Sequence, residues 1–278
     1  MRQRMFPFKT LGLGAGGIKG ILHVGALLEL SKHQSLYFPN GIYGCSIGSI
    51  IATYIAFELP LDNMVPLMKE YLHMNRMTPK FKFEHFSSVF SAKGMFPMET
   101  FEASICEMFQ KAGMDIQHKK IGDAHMPLYI VASNITKGVP TLFSKDISVI
   151  DALKCSCSIP GVFRPVELYG QMYVDGNLFA PCIASVMPKE ESLVFSLTKH
   201  RKRHLTPAMI ETMSPIAYID ELYIMTSTLF HNASLTENTL CLSYPNLHSD
   251  SELEEFDVDD ILKHSRTLFN EFITKRSL

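Results

Sequence analysis

The chain contains no tryptophan, and only 19% of its 278 residues are Asp, Glu, Lys or Arg. Their formal sum is -2, so no global field favours nucleic acid or an anionic membrane. The six cysteines, Cys45, Cys106, Cys155, Cys157, Cys182 and Cys241, include no C-x-x-C pair. Cys155 and Cys157 are spaced too closely for the usual redox or zinc motifs, and no second cluster completes a metal set. A reduced, intracellular chain with buried thiols is the simplest account. No signal peptide is expected: Arg2 and Arg4 lead into an apolar stretch, but glycines interrupt it and Lys19 follows too soon. Charge is also missing from Gln34 to Phe57, a length that could span a membrane. Pro39, Asn40, Gly41, Gly44 and Gly48 argue against a span and divide the stretch into a strand, a tight turn and a helix.

What is present is apolar and ordered. Hydrophobic residues make up 46% of the chain, and 278 residues can bury a sizeable core. The patterning predicts a strand at Thr10–Leu13, a glycine-rich turn, and a helix over 18–30. A second strand over 41–45 then runs into Ser46 and a helix ending near Phe57. Two β-turn-α units in succession indicate a parallel sheet covered by helices. Helices are expected over 61–73, 97–111, 148–156, 215–231 and 261–273. Strands are expected over 128–133, 141–144 and 193–197, with a hairpin of 166–168 and 171–174 leading to Asp175. The segment 79–94 is aromatic and basic and has no assignment from pattern. No repeat or low-complexity linker divides the chain, so one domain over 1–278 is expected.

Three motifs could carry chemistry. Gly44-Cys45-Ser46-Ile47-Gly48 has the form of a nucleophile elbow, a serine on a strained strand-to-helix turn. Small residues let such a turn close, and the following helix N-terminus favours negative charge beside it. The plain alternative is an ordinary glycine-serine turn. Gly14-Ala15-Gly16-Gly17-Ile18-Lys19-Gly20 lies at the first strand-helix turn, where successive glycines can aim backbone N–H groups into one concave space. Gly12-x-Gly14-x-x-Gly17 formally meets a dinucleotide fingerprint, but the second strand ends in Cys45-Ser46 rather than an acidic residue. Lys19 precedes Gly20 rather than Ser or Thr, so a P-loop does not fit. An oxyanion hole facing the nucleophile fits best, with a turn chosen for packing as the bland alternative. Asp175-Gly176 ends a strand, and such a pair is usually only a hairpin turn. It matters if the fold carries it to Ser46.

The combination resembles the patatin-like phospholipases. They share a G-G-x-K/R-G turn, here Gly16–Gly20, a G-x-S-x-G elbow, here Gly44–Gly48, and a downstream Asp-Gly, here Asp175-Gly176. Met126–Ser133 is similar to the family's central strand, and Ala152–Val166 to the stretch before its aspartate. The resemblance covers about residues 10–182, with 199–278 a less diagnostic, helical part. It implies a three-layer α/β/α patatin-like fold with a mostly parallel central sheet. It further implies a Ser46–Asp175 dyad without histidine, cofactor or metal. Ser46 would be nucleophile and Asp175 general base. The oxyanion would sit on Gly16, Gly17 and Ile18, supported by Gly14, Lys19, Gly44, Gly48 and Gly176. Asp175 should be partly desolvated with a raised pKa. The implied partner is a lipid or phospholipid substrate, with peripheral membrane contact and no nucleic acid.

Two positions depart from the family pattern. Ala15 stands where a first glycine is common, and Asn177 replaces the small residue after Asp-Gly. Both bear on how the turn and Asp175 are oriented. A conventional α/β-hydrolase ranks second, with His200, His204, His231, His248 or His264 as the third member, although one strand before the elbow is too few. A non-catalytic lipid-binding protein on the same fold is the reading of another class. Lys80–Phe86 mixes cations with rings, as interface segments do. Met64, Met68, Met74, Met77, Met95 and Met98 offer either adaptable surface or a satellite core. The basic run Lys199–His204 suits anionic headgroups or a solvated loop. The acidic 252–260 stretch lacks EF-hand spacing.

Overall fold

The computed structural model describes residues 8–80, 82–197, 205–213, 215–247 and 253–277. The basic run 199–204 and the start of the acidic stretch lie outside them. In chain order the elements are β1 (Thr10–Leu13), α1 (Ile21–Leu30), β2 (Ile42–Cys45), α2 (Ile47–Ala56), α3 (Met64–Tyr71), α4 (Met74–Met77), α5 (Phe83–Ala92), β3 (Gly94–Phe96) and α6 (Glu99–Lys111). Then follow β4 (Leu128–Asn134), β5 (Val139–Phe143), α7 (Val149–Cys157), β6 (Gly161–Phe163), β7 (Val166–Leu168), β8 (Gln171–Asp175) and β9 (Ser192–Leu197). The chain closes with α8 (Pro207–Thr212), α9 (Pro215–Ala233), β10 (Thr239–Leu242) and α10 (Val258–Ser277).

The central sheet has the order β10-β9-β1-β2-β4-β8-β7, with β5 also paired to β4. Its first five strands are mutually parallel; β5 and β8 run antiparallel to them, and β7, antiparallel to β8, returns to their direction. Every residue of β1, β2 and β9 is buried, as expected for parallel strands covered on both faces. Alternation sends Leu11, Leu13, Phe195 and Leu197 into the larger core with α1, α2, α7 and α10. Tyr43, Cys45, Val131 and Val194 face the other way and pack on Cys182, Ile183, Ala184 and Met187. This second face is covered by the 3₁₀ turns Gly176–Leu178 and Ile183–Val186. The end of α9 joins it, where the His231 ring meets the Ser196 hydroxyl of β9. The result is a three-layer α/β/α fold with a mostly parallel sheet, thinner on one side.

Several expectations shift at their edges. The helix expected over 18–30 begins as a 3₁₀ turn, Gly17–Gly20, and becomes α-helical only at Ile21. The unassigned 79–94 segment contains α5 and the short β3, which pairs with β6. Met64, Met68 and Met98 are buried, and Met77 and Met95 pack against the core, so the methionines near α3 and α6 form core rather than surface. The uncharged 34–57 stretch is β2, a turn and α2, and no described helix is long and apolar enough to cross a membrane.

Candidate active site

Hydrogen-bond register brings the motifs together. β2 pairs in parallel with residues 128–131 of β4, ending at Cys45 opposite Val131. β8 pairs antiparallel with residues 132–134, ending at Asp175 opposite Ala132. β5 occupies the opposite edge of β4 across both regions. The C-terminal ends of β2 and β8 therefore abut along one edge of β4, one residue step apart, which is about 3.8 Å along the chain. Ser46 and Asp175 emerge at that junction. A methyl group on Gly176 would stand 2.4 Å from the Val131 carbonyl oxygen and 2.8 Å from the Cys45 sulfur, so only glycine permits this approach.

Ser46 has φ of 54°, a left-handed conformation that a non-glycine residue holds only under outside constraint. The constraint is visible. The Ser46 N–H donates to Ser156 Oγ at 2.9 Å, and the Ser156 hydroxyl donates to the Val131 carbonyl at 2.7 Å. The Ser49 hydroxyl donates to the Ser46 carbonyl at 2.6 Å. Glycines 44 and 48 are required by proximity: added methyl groups would lie 2.4 Å from Ser49 Cα and 2.1 Å from the Leu13 carbonyl oxygen. Although Ser46 occupies the N-cap of α2, its side chain caps nothing. Its hydroxyl is therefore left for other use.

Asp175 is 5% exposed. Its Oδ1 accepts the Asn177 N–H at 2.8 Å, and its own N–H donates to the Ser158 carbonyl at 2.8 Å. The orienting donor is a backbone amide, so the change at Asn177 leaves that contact intact. The Cys157 thiol links the two motifs. It hydrogen-bonds with the Ser46 side chain and lies 3.9 Å from the Ser49 hydroxyl. Burial pushes its pKa up, the Asp175 carboxylate pushes it further, and the Ser49 and Ser46 hydrogen bonds oppose both. It remains a neutral thiol.

The glycine turn follows β1, the neighbour of β2. Gly14 is held at both polar groups: its N–H donates to the Phe195 carbonyl at 2.9 Å, and its carbonyl lies 2.9 Å from His23 Nε2. Since the carbonyl can only accept, Nε2 carries the proton. Gly17 has φ of 57°, and a methyl on Gly16 would meet Leu197 at 2.6 Å. Ala15 does not adopt positive φ, so its methyl group is accommodated. The first amides of a helix have no acceptor within it, which places those of Gly17 and Ile18 at this end of the sheet. Lys19 is buried in the same turn.

A cleft of about 20 Å³ opens beside these residues, lined by Ala15, Asn177, Leu197, Ser227, His231 and Asn232 among others. It has room for about one water molecule. Both positions that depart from the family pattern line it. Of the histidines considered as a third catalytic group, His231 bonds Ser196, and His264 Nε2 bonds the Ser243 carbonyl at 3.0 Å. His200, His204 and His248 lie outside the described residues.

Residues 11–186 match the family model described as patatin-like phospholipase. The chain belongs to the patatin-like phospholipase family. Among curated family relatives, a probable lipid hydrolase of Invertebrate iridescent virus 6 is 25% identical over 62% of this chain and 60% of its own length. The mouse 1-acylglycerol-3-phosphate O-acyltransferase Pnpla3 is 29% identical over 61% of this chain and 39% of its own. An uncharacterized protein of Acanthamoeba polyphaga mimivirus is 29% identical over 61% of this chain and 58% of its own. The chain thus matches less than two thirds of each relative. In fold it is similar to VipD of Legionella pneumophila, with TM-score 0.51 and 15% identity over 96% of this chain and 67% of VipD. ExoU of Pseudomonas aeruginosa gives TM-score 0.51 and 17% identity over 97% and 53%.

Pattern reading of the patatin-like stretch 152–166 did not single out Ser156 or Cys157. Their signal is the alternation Cys155-Ser156-Cys157-Ser158 at a helix end, small side chains where two strand ends must meet. The contribution of α9 had no signal, because nothing in its sequence names a distant β-strand as its partner.

Proposed function

We propose that the chain is a serine-dependent lipid acyl hydrolase acting through Ser46 and Asp175. The observation that carries this reading is the meeting of β2 and β8 end to end on β4, which leaves a strained serine and a buried carboxylate at one junction. The Ser46 hydroxyl attacks the ester carbonyl while Asp175 takes its proton. The oxyanion is received by amides of Gly16, Gly17 and Ile18, already held in place before charge develops. Asp175 returns the proton to the departing alkoxide, leaving acyl-Ser46. Water then attacks the acyl carbon and gives its proton to Asp175, which passes it to Ser46 Oγ as the C–O bond breaks and the carboxylic acid leaves. Cys157, kept neutral by burial and by Asp175, takes no proton in this cycle.

Family membership supports a lipid ester as substrate. The acyltransferase name of the mouse relative supports a second fate for acyl-Ser46, transfer to a lipid hydroxyl instead of water. A panel of phospholipid, lysophospholipid and acylglycerol substrates, with products read by mass spectrometry, separates the two fates. A fluorophosphonate probe should label wild-type protein and not Ser46→Ala. Labelling that persists in Ser46→Ala, or full turnover by Asp175→Asn, rejects the dyad.

A further inference from the structure

The helix over the cleft carries an apolar stripe on its outward side. Tyr218, Leu222, Met225 and Leu229 follow the i, i+4, i+7, i+11 spacing that places side chains on one face. They are 40, 42, 38 and 71% exposed, and Phe230 beside them is 63% exposed. At 100° per residue, Ser227 and His231 fall on the opposite side, and these two are buried. They line the cleft with Ala15 and Asn177. The hydroxyls of Thr226, Ser227 and Thr228 are satisfied by carbonyls of the helix itself. From Leu222 to Thr236 the chain carries no Asp, Glu, Lys or Arg. A helix facing water normally puts its polar side out and its apolar side in. Here Ser227 and His231 face the cleft, while an apolar stripe of the same helix faces away from the protein.

We propose that the outward face of α9 docks on the surface of a lipid aggregate, with Leu222, Met225, Leu229 and Phe230 entering its apolar boundary. The choice of a lipid occupant rests on the hydrolase reading of Ser46. An insoluble substrate must be met at its own interface, and the helix that walls the cleft turns its apolar face outward. The stripe carries no charge that could complement a charged surface, and it matches the uncharged acyl boundary of a lipid aggregate. It also predicts attachment that salt does not release. Exposed Phe179, two residues beyond Asn177 and outside α9, adds a second apolar side chain near the cleft wall.

The test uses Ser46→Ala protein, so that hydrolysis cannot alter the vesicles. It is mixed with pure phosphatidylcholine vesicles and separated by sedimentation, alone and with Leu222→Asp and Leu229→Asp added. The double substitution should reduce vesicle partitioning at least about tenfold, and Leu229→Gln alone by about threefold. Leu229→Gln should leave the melting temperature unchanged, since Leu229 is 71% exposed, and a circular-dichroism melt shows that the double variant is folded. In protein that retains Ser46, the double substitution should slow cleavage of long-chain esters in vesicles and leave a soluble short-chain ester unaffected. Equal partitioning with and without the substitutions overturns the proposal. So does a parent protein that ignores vesicles but forms a dimer that the substitutions dissociate. If vesicles are bound through this face and no ester of any kind is cleaved, the docking surface stands and the hydrolase reading fails.

Discussion

Two uncharged stretches of this chain, 34–57 and 222–236, meet opposite fates. The first holds β2 and α2, and every residue of α2 is buried. The second forms the end of α9 and leaves Leu229 and Phe230 mostly in solvent. Composition does not separate them. What separates them is the number of surfaces each helix must satisfy. α2 is packed against the sheet and its neighbours, so apolar side chains point everywhere inward. Among the described residues α9 meets the sheet where His231 bonds Ser196 of β9, and Ser227 and His231 are the residues buried on that side. Apolar sequence measures how much surface a segment must hide, while the tertiary neighbours decide what hides it.

That contrast can be broken at several strengths. The largest effect belongs to Ser46: Ser46→Ala should lower ester turnover by about 10⁴-fold with an unchanged melting temperature, and Asp175→Asn should come close to it. Next is Gly48→Ala, whose methyl has no space beside the Leu13 carbonyl. It should destabilise the fold by more than about 4 kcal/mol, read as loss of soluble protein or of a urea transition. A similar substitution in α9, where the face is open, should have no such effect.

The third effect is a pH dependence. Burial of His23 lowers its pKa from 6.5 to about 4; the bond to the Gly14 carbonyl opposes the shift and the Lys19 charge adds to it. A depressed pKa means the folded state resists protonation. His23 therefore supports stability fully above pH 6.5, and that support falls by roughly 3 kcal/mol as pH drops to 4. Urea midpoints across this range should slope less steeply in His23→Gln, which has no such titration. Fourth, Ser156→Ala removes the acceptor of the Ser46 N–H and the donor to Val131, both buried. About 2 kcal/mol of stability should be lost, with slower turnover because the elbow loses its tie. The smallest change is Leu229→Gln, within about 0.5 kcal/mol on stability, whose effect should appear only in vesicle partitioning.

Much of the architecture was legible in periodicity. Thr10–Leu13, the hairpin into Asp175 and the helix over 148–156 all stand within a residue or two of expectation, because local hydrophobic period and turn chemistry agree there. Disagreements arise where a distant contact intrudes. The helix after the glycine turn starts late because Gly17 takes a left-handed conformation and Gly20 packs on Ile47, where a methyl would stand 2.3 Å from a side-chain carbon. β5 begins at Val139 and accommodates Pro140 because it lies at a sheet edge, where a missing N–H is tolerated. The antiparallel sense of β8 relative to β4 is invisible to pattern, since either direction buries the same face.

The elbow, the glycine turn and the Asp-Gly corner are local arrangements, set by residues that must turn tightly or lack a Cβ, so the amino-acid order determined them and the alternation of the strands around them. Their meeting is not local. It depends on β2 and β8 sharing one edge of β4, on Ser156 reaching Ser46 across 110 positions, and on α9 turning Ser227 and His231 toward the sheet. Those outcomes came from competition among buried surfaces for the same neighbours, a contest that only the assembled chain resolves.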